Sequence, residues 1–328
     1  MFKTRTAALV IAAFAWVGSA IAEDIVIGHF GDPLPAQAAI AEGKLDKATG
    51  WKIDWRKFAS GADVISAMAS GDVKISELGS APFAIAASQG VPIEVILISF
   101  VIGTSESLIV RNGAGITKPG DLKAKRIAVP IGSTAHLSLI GALRHWKIAE
   151  SEVQIVGMSP DQISAAWEQK VIDAAFVWYP VQGKLLESGK RLASANDVAS
   201  WGYPTFNVWA VNKAFAQSHR TQVLAFVKAM NEANAAYINN KAAWTASSAP
   251  VKAIAARTGA VADQIPEILS GNEFLTANAQ VSDAWLGGGA AKALKQTADF
   301  LKSVGRIDKV ASDYGPFVNA SFAKQAAR

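Results

Sequence analysis

Residues 52–90 read KIDWRKFASGADVISAMASGDVKISELGSAPFAIAASQG, and their rhythm decides the fold. Lys52 to Phe58 alternates, with Ile53, Trp55 and Lys57 on one side, which is the period of a strand. Ala62 to Ser70 is helical in pattern and stops at Gly71. Val73 to Leu78 is again a strand, and Ser80 to Gln89 is a helix closed by Gly90. Strand and helix following each other this closely are β-α units, and such units feed largely parallel sheets.

The same alternation continues on both sides. Asp24 to Phe30 (DIVIGHF) is a first strand, followed by a Gly-Asp-Pro loop and one helix expected from Pro35 to Thr49, with Gly50 as its stop. Glu94 to Val101 and Ser107 to Arg111 are two further strands. After them, Asn112-Gly-Ala-Gly and Lys118-Pro-Gly form a glycine- and proline-rich stretch that reads as a crossing between lobes. Arg126 to Pro130, Val153 to Gly157 and Ala174 to Val177 are strands of a second lobe, separated by helices near 134–146 and 162–170. Trp201-Gly-Tyr-Pro leads into a return strand, Asn207 to Val211, and from Asn212 onward the pattern is almost all helical and rich in alanine. The expected division is a first lobe from 23–111 and 208–328, and a second from 112–207. Two crossings imply a hinge rather than two domains in tandem.

Composition bounds the function. Lys3 and Arg5 precede an apolar run from Ala7 to Val17, and Ala20-Ile21-Ala22 offers small residues for cleavage, so residues 1–22 read as an export signal and the expected location is the periplasm. About 306 residues remain, enough for two lobes with substantial cores. The chain contains no cysteine, which excludes thiol nucleophiles, cysteine metal sites and a disulfide framework. The formal charge of +5 falls to about +3 without Lys3 and Arg5, and no basic run is long enough to suggest nucleic acid. Walker, Gly-x-Ser-x-Gly, Gly-x-Gly-x-x-Gly and His-Glu-x-x-His motifs are absent, so nothing advertises a hydrolase, a nucleotide site or zinc. No catalytic residue, cofactor or metal is expected.

The informative residues sit where strands run into helices. Gly79-Ser80 and Gly132-Ser133-Thr134 each offer free backbone N–H groups and a hydroxyl to a common cleft. A sulfonate is a monoanion with three acceptor oxygens, suited to several neutral donors of this kind. Equally, Ser80, Ser133 and Thr134 could be ordinary N-caps serving only their own helices. Trp178 ends a strand, where its indole could cover a ligand cation or methylene chain, whereas Trp201 and Trp209 read as packing. Asp32, Glu77 and Glu106 are the acidic candidates for an ammonium group. His29 could donate to a ligand or fill the core, and His136 is placed to support the Ser133-Thr134 loop.

Four stretches carry a resemblance: DWRKFASGADVISAMASGDVKI (Asp54 to Ile75), LGSAPFAIAASQGVPIEV (Leu78 to Val95), KRIAVPIGSTAHLSLIGALRHW (Lys125 to Trp146) and WGYPTFNVWAV (Trp201 to Val211). Through them the chain resembles the periplasmic taurine-binding proteins of the nitrate, sulfonate and bicarbonate ABC-importer group. The resemblance implies a periplasmic-binding-protein fold, α/β, with two lobes of mostly parallel sheets joined by a two-crossing hinge. It also implies a protein that closes on a small sulfonate, does no chemistry on it and delivers it to a membrane permease; a monomer is expected. It places Ser80, Ser133, Thr134, Glu106 and Trp178 at the cleft. Two positions depart from the pattern. Asn207 stands where those proteins carry Asp, and Glu77 where they carry Asn. An enzyme of related fold, the pyrimidine-precursor synthase, is the rival class, but it uses a cysteine-rich motif that this chain lacks. A binder of longer or aromatic sulfonates is the other alternative.

Overall fold

The structure, a computed structural model, describes residues 23–328. The expected export signal at residues 1–22 lies outside the described residues. The strands are β1 (Asp24–His29), β2 (Lys52–Lys57), β3 (Ile75–Gly79), β4 (Ile93–Ile102), β5 (Glu106–Arg111), β6 (Arg126–Val129), β7 (Gln154–Gly157), β8 (Ala174–Trp178), β9 (Gly189–Ser194), β10 (Phe206–Asn212) and β11 (Asn272–Glu273). They form two sheets, β11-β4-β10-β3-β1-β2 and β7-β6-β8-β5-β9, one in each lobe.

Alternation along the strands follows from burial on both faces of each sheet. In β1, Ile25 and Ile27 enter a core on one face while Val26 packs against a second core on the other. In β8, Ala174 and Phe176 face one core of the second lobe, and Ala175 and Val177 face the other. Helices therefore cover both sides, as expected where βαβ crossovers carry parallel strands. Within the first sheet β1 to β4 share one direction, and β10 and β11 oppose them. Within the second, β6 to β9 share one direction and β5 opposes them.

The reversed strands correct the expected lobe boundaries. β5 pairs with β8 and β9 in the second sheet, and β10 pairs with β3 and β4 in the first. The chain thus crosses at 103–105, before β5, and returns at 203–205, before β10. The glycine-rich stretch from Asn112 stays inside the second lobe. Gly113 and Gly115 there take left-handed φ values of 80° and 72°, so the stretch is a surface turn joining β5 to β6. Gly103 makes the first crossing. A side chain on it would begin 2.4 Å from the Gly271 carbonyl oxygen, so only glycine lets the crossing lie against the segment that leads into β11.

The helix expected over 35–49 is two, Pro35–Ala41 and Lys44–Thr49, because Gly43 between them is left-handed at φ 65°. β9 had no alternating apolar signal. It is an edge strand whose Lys190 and Arg191 face solvent. Among the described residues no helix is long and apolar enough to cross a membrane.

Candidate ligand-binding site

Strand direction builds the site. Most strands present their carboxyl ends to the gap between the lobes: β3 ends at Gly79, β6 leads into Ser133, and β8 ends at Trp178. β5 and β10 run the other way, so their first residues reach the same edge. Glu106 lies opposite Trp178 in the second sheet, and Asn207 lies opposite Gly79 in the first. Sheet edges of this kind are where open α/β proteins receive ligands.

The cavity between these edges is small, with about 50 Å³ open to the centre of a water-sized sphere. Phe30, Phe100, Pro82 and Trp178 supply apolar wall, and Asp32, Glu106, Ser133, Thr134, Asn207 and Asn272 are among its polar lining. Among the described residues on this wall, Asp32 and Glu106 are acidic and none is Lys, Arg or His.

The helices Gly61–Ser70 and Thr134–His145 begin at the cavity, and Gly79 caps the helix Ser80–Ser88 there. Their combined N-terminal dipoles favour negative charge without a cationic side chain. Two of these helix starts come from opposite lobes and nearly touch. A β-carbon on Gly79 would lie 2.9 Å from Thr134 Cγ2 and 3.4 Å from Asn207 Oδ1. Glycine at position 79 is what permits that approach.

Of the ten candidate residues, Asp32, Gly79, Glu106, Ser133, Thr134, Trp178 and Asn207 line the cavity. His29, Glu77 and Ser80 do not. Ser80 is fully buried, and its hydroxyl accepts the Phe206 N–H at 3.4 Å, which ties the helix start to the return strand. His29 sits in the core beside Gln37 and edge-on to Trp55. Burial first, then the Arg257 and Lys57 charges, hold it down to about 4, so it is neutral.

Glu77 lies behind the wall, where its Oε1 accepts from Ser99 Oγ at 2.9 Å and from Asn207 Nδ2 at 3.4 Å. The two departures from the family pattern therefore touch each other. Ser133 spends its hydroxyl as an N-cap, donating to the Pro130 carbonyl at 2.6 Å and accepting the His136 N–H at 3.2 Å. His136 supports this loop by accepting the Gly132 N–H on Nδ1 at 3.2 Å. Trp201 stacks on His145, and Trp209 belongs to the first-lobe core.

Glu106 is almost wholly buried. Thr134 Oγ1 donates to its Oε2 at 2.7 Å, whereas its buried Oε1 has no hydrogen bond of good geometry, although the buried Ser138 hydroxyl lies close enough to the group to act on it. Burial pushes Glu106 up to about 8, the Thr134 hydrogen bond opposing, the Asp32 charge adding and the Ser138 hydroxyl opposing. Burial likewise raises Asp32 to about 7 against the pull of Lys57. Glu77 rises to about 8 through burial and Asp32, opposed by its bonds from Ser99 and Asn207. Of these three raised carboxyl groups, Asp32 and Glu106 face the cavity, where a cation would favour their ionised forms.

Phe30, Phe100, Tyr179 and Asn272 also line the cavity and were missed in the sequence. Phe30 directly follows β1 and Phe100 lies two residues before the end of β4, so a search around strand ends could have found them. Asn272 arrives on the two-residue strand β11 and had no local signal.

A model of the family described as NMT1/THI5 like matches residues 37–243. The chain belongs to the NMT1/THI5-like family. This NMT1/THI5-like protein is 42% identical over 320 residues to the taurine-binding periplasmic protein of Escherichia coli (strain K12), which covers 98% of both chains. It also has the fold of the periplasmic aliphatic sulphonate binding protein SsuA from Escherichia coli, at a TM-score of 0.72 and 20% identity over 90% of this chain and 92% of that one. The desulfurization enzyme DSZB shares the fold too, with a TM-score of 0.61 and 16% identity over 92% of this chain and 98% of that one. Fold alone therefore does not separate binding from catalysis, and the contents of the cavity must.

Proposed function

We propose that this protein is the extracytoplasmic solute-binding component of an ABC importer, exported by residues 1–22, and that it captures taurine between its lobes in the periplasm and delivers it to a membrane permease. One observation carries the reading. The cavity combines helix N-termini with acidic side chains and, among the described residues, has no basic side chain on its wall, so it suits a solute with one anionic and one cationic end. Helix N–H groups take the sulfonate. Glu106, with its open Oε1, takes the ammonium, Asp32 adds negative potential, and Trp178 covers the short carbon chain. The sequence relationship to the taurine-binding protein of Escherichia coli supports the same ligand.

The narrow cavity favours taurine over an aromatic or long-chain sulfonate. The sequence relationship to a periplasmic binding protein favours a monomeric carrier over an enzyme. Calorimetry against taurine, isethionate, ethanesulfonate and an aromatic sulfonate tests the proposal. Taurine should bind tightest. Equal or tighter binding of the aromatic sulfonate, or turnover of any of them by the purified protein, would refute it.

A further inference from the structure

Glu77 is 1% exposed and lies outside the cavity, yet it is bonded to a residue that lines it. Asn207 is held at the backbone on both sides, by pairing with Gly79 on β3 and Phe100 on β4, and the register shifts just after it. Such an irregularity re-aims a side chain and leaves its torsions as the remaining freedom. An asparagine amide has a donor end and an acceptor end of nearly the same shape, so which end faces the cavity depends on what the other end meets.

Here the other end meets Glu77 Oε1, which already accepts from Ser99 Oγ at 2.9 Å and accepts Asn207 Nδ2 at 3.4 Å. With Ser99 donating to this oxygen, the proton that burial keeps on the carboxyl group belongs on Oε2, and Oε1 remains an acceptor that selects the Nδ2 end. Asn207 Oδ1 is thereby turned toward Gly79, 3.4 Å from where a side chain there would begin, and Gly79 is cavity wall. A flipped amide would set two oxygens against each other behind the wall and point N–H groups at the ligand's cation.

We propose that Glu77 is a positioning residue that holds the Asn207 amide with its carbonyl oxygen toward the cavity, and that this oriented acceptor selects solutes bearing a cationic hydrogen-bond donor. The inference rests on the amine-bearing ligand proposed above and adds how its specificity is set. Glu77 need not touch the ligand. Its role is to be an acceptor, which a neutral amide can imitate and an apolar side chain cannot.

The test is a double-mutant cycle read by calorimetry with taurine and with ethanesulfonate, which keeps the sulfonate and two-carbon chain but has no amine. Glu77→Met should lower the preference for taurine by about tenfold or more, the usual effect of losing one hydrogen bond to a charged group. Ethanesulfonate affinity should move by less than about twofold. Glu77→Gln, whose carbonyl can still accept from Ser99 and Asn207, should keep the preference. In an Asn207→Ala background Glu77→Met should have no further effect.

The idea is overturned if Glu77→Gln loses as much preference as Glu77→Met, since that assigns the effect to charge. It is also overturned if the Glu77→Met loss persists in Asn207→Ala, or if Glu77→Met changes nothing. Should the Met variant fail to fold, Glu77→Ala takes its place in the same cycle, with the same expected and overturning outcomes. Wild-type protein that does not prefer taurine over ethanesulfonate would instead sink the amine-bearing ligand, and this inference with it.

Discussion

Taurine affinity should rise with pH, and the environment of Glu106 sets the sign. In the ligand-free protein burial pushes Glu106 up to about 8, so below that pH the side chain holds its proton. An ammonium group seated at the open Oε1 favours the ionised form, as does the Thr134 hydroxyl already donating to Oε2 at 2.7 Å. Binding therefore expels a proton. Between pH 6 and pH 8 each proton released strengthens binding by up to about tenfold per pH unit, or about 1.4 kcal/mol, and the gain levels off once Glu106 is ionised without ligand.

Calorimetry at pH 6, 7 and 8, repeated in buffers with different heats of ionisation, counts the protons directly. Glu106→Gln should flatten the dependence and weaken taurine binding by about tenfold to a hundredfold at pH 8, the worth of a charge-assisted bond. Ethanesulfonate, an anion with no cation, should bind no more tightly at pH 8 than at pH 6 in either protein. If wild-type protein releases no proton on binding taurine and its Kd is the same at pH 6 and pH 8, Glu106 does not pair with the amine.

Two further outcomes follow from the contacts around the helix starts. Gly79→Ala puts a methyl group 2.9 Å from Thr134 Cγ2; because that contact crosses the lobes, the variant should fold normally in thermal melts but bind taurine at least about tenfold more weakly, and undiminished affinity would refute the tight interlobe contact. Ser133→Ala removes an N-cap whose hydroxyl is already committed within the protein, so chemical denaturation should show a loss of about 1 kcal/mol in stability, with taurine affinity changed far less. A large affinity loss at unchanged stability would return that hydroxyl to the ligand.

The sequence by itself determined the layered α/β architecture, because strands buried on both faces must be apolar on both sides and helices must stop somewhere. DIVIGHF, the alternation through Trp55, and the stops at Gly71 and Gly90 reported those constraints locally. It also determined which loops could hold a ligand, since Gly79, Ser133, Thr134 and Trp178 stand where strands end. Tertiary structure decided what local pattern could not carry. β5 and β10 are apolar enough for either sheet, and only their pairing with strands distant in the chain assigned Glu106 to one lobe and Asn207 to the other. Hydroxyls that look alike in sequence have different fates, because Ser133 and Ser80 spend theirs on the backbone while Thr134 turns to Glu106. Glu77 and Asn207 are 130 residues apart in the chain; their contact exists only because antiparallel pairing of β3 and β10 brings a carboxyl group beneath an amide, and register of that kind is written in long-range hydrogen bonds rather than in any stretch of residues.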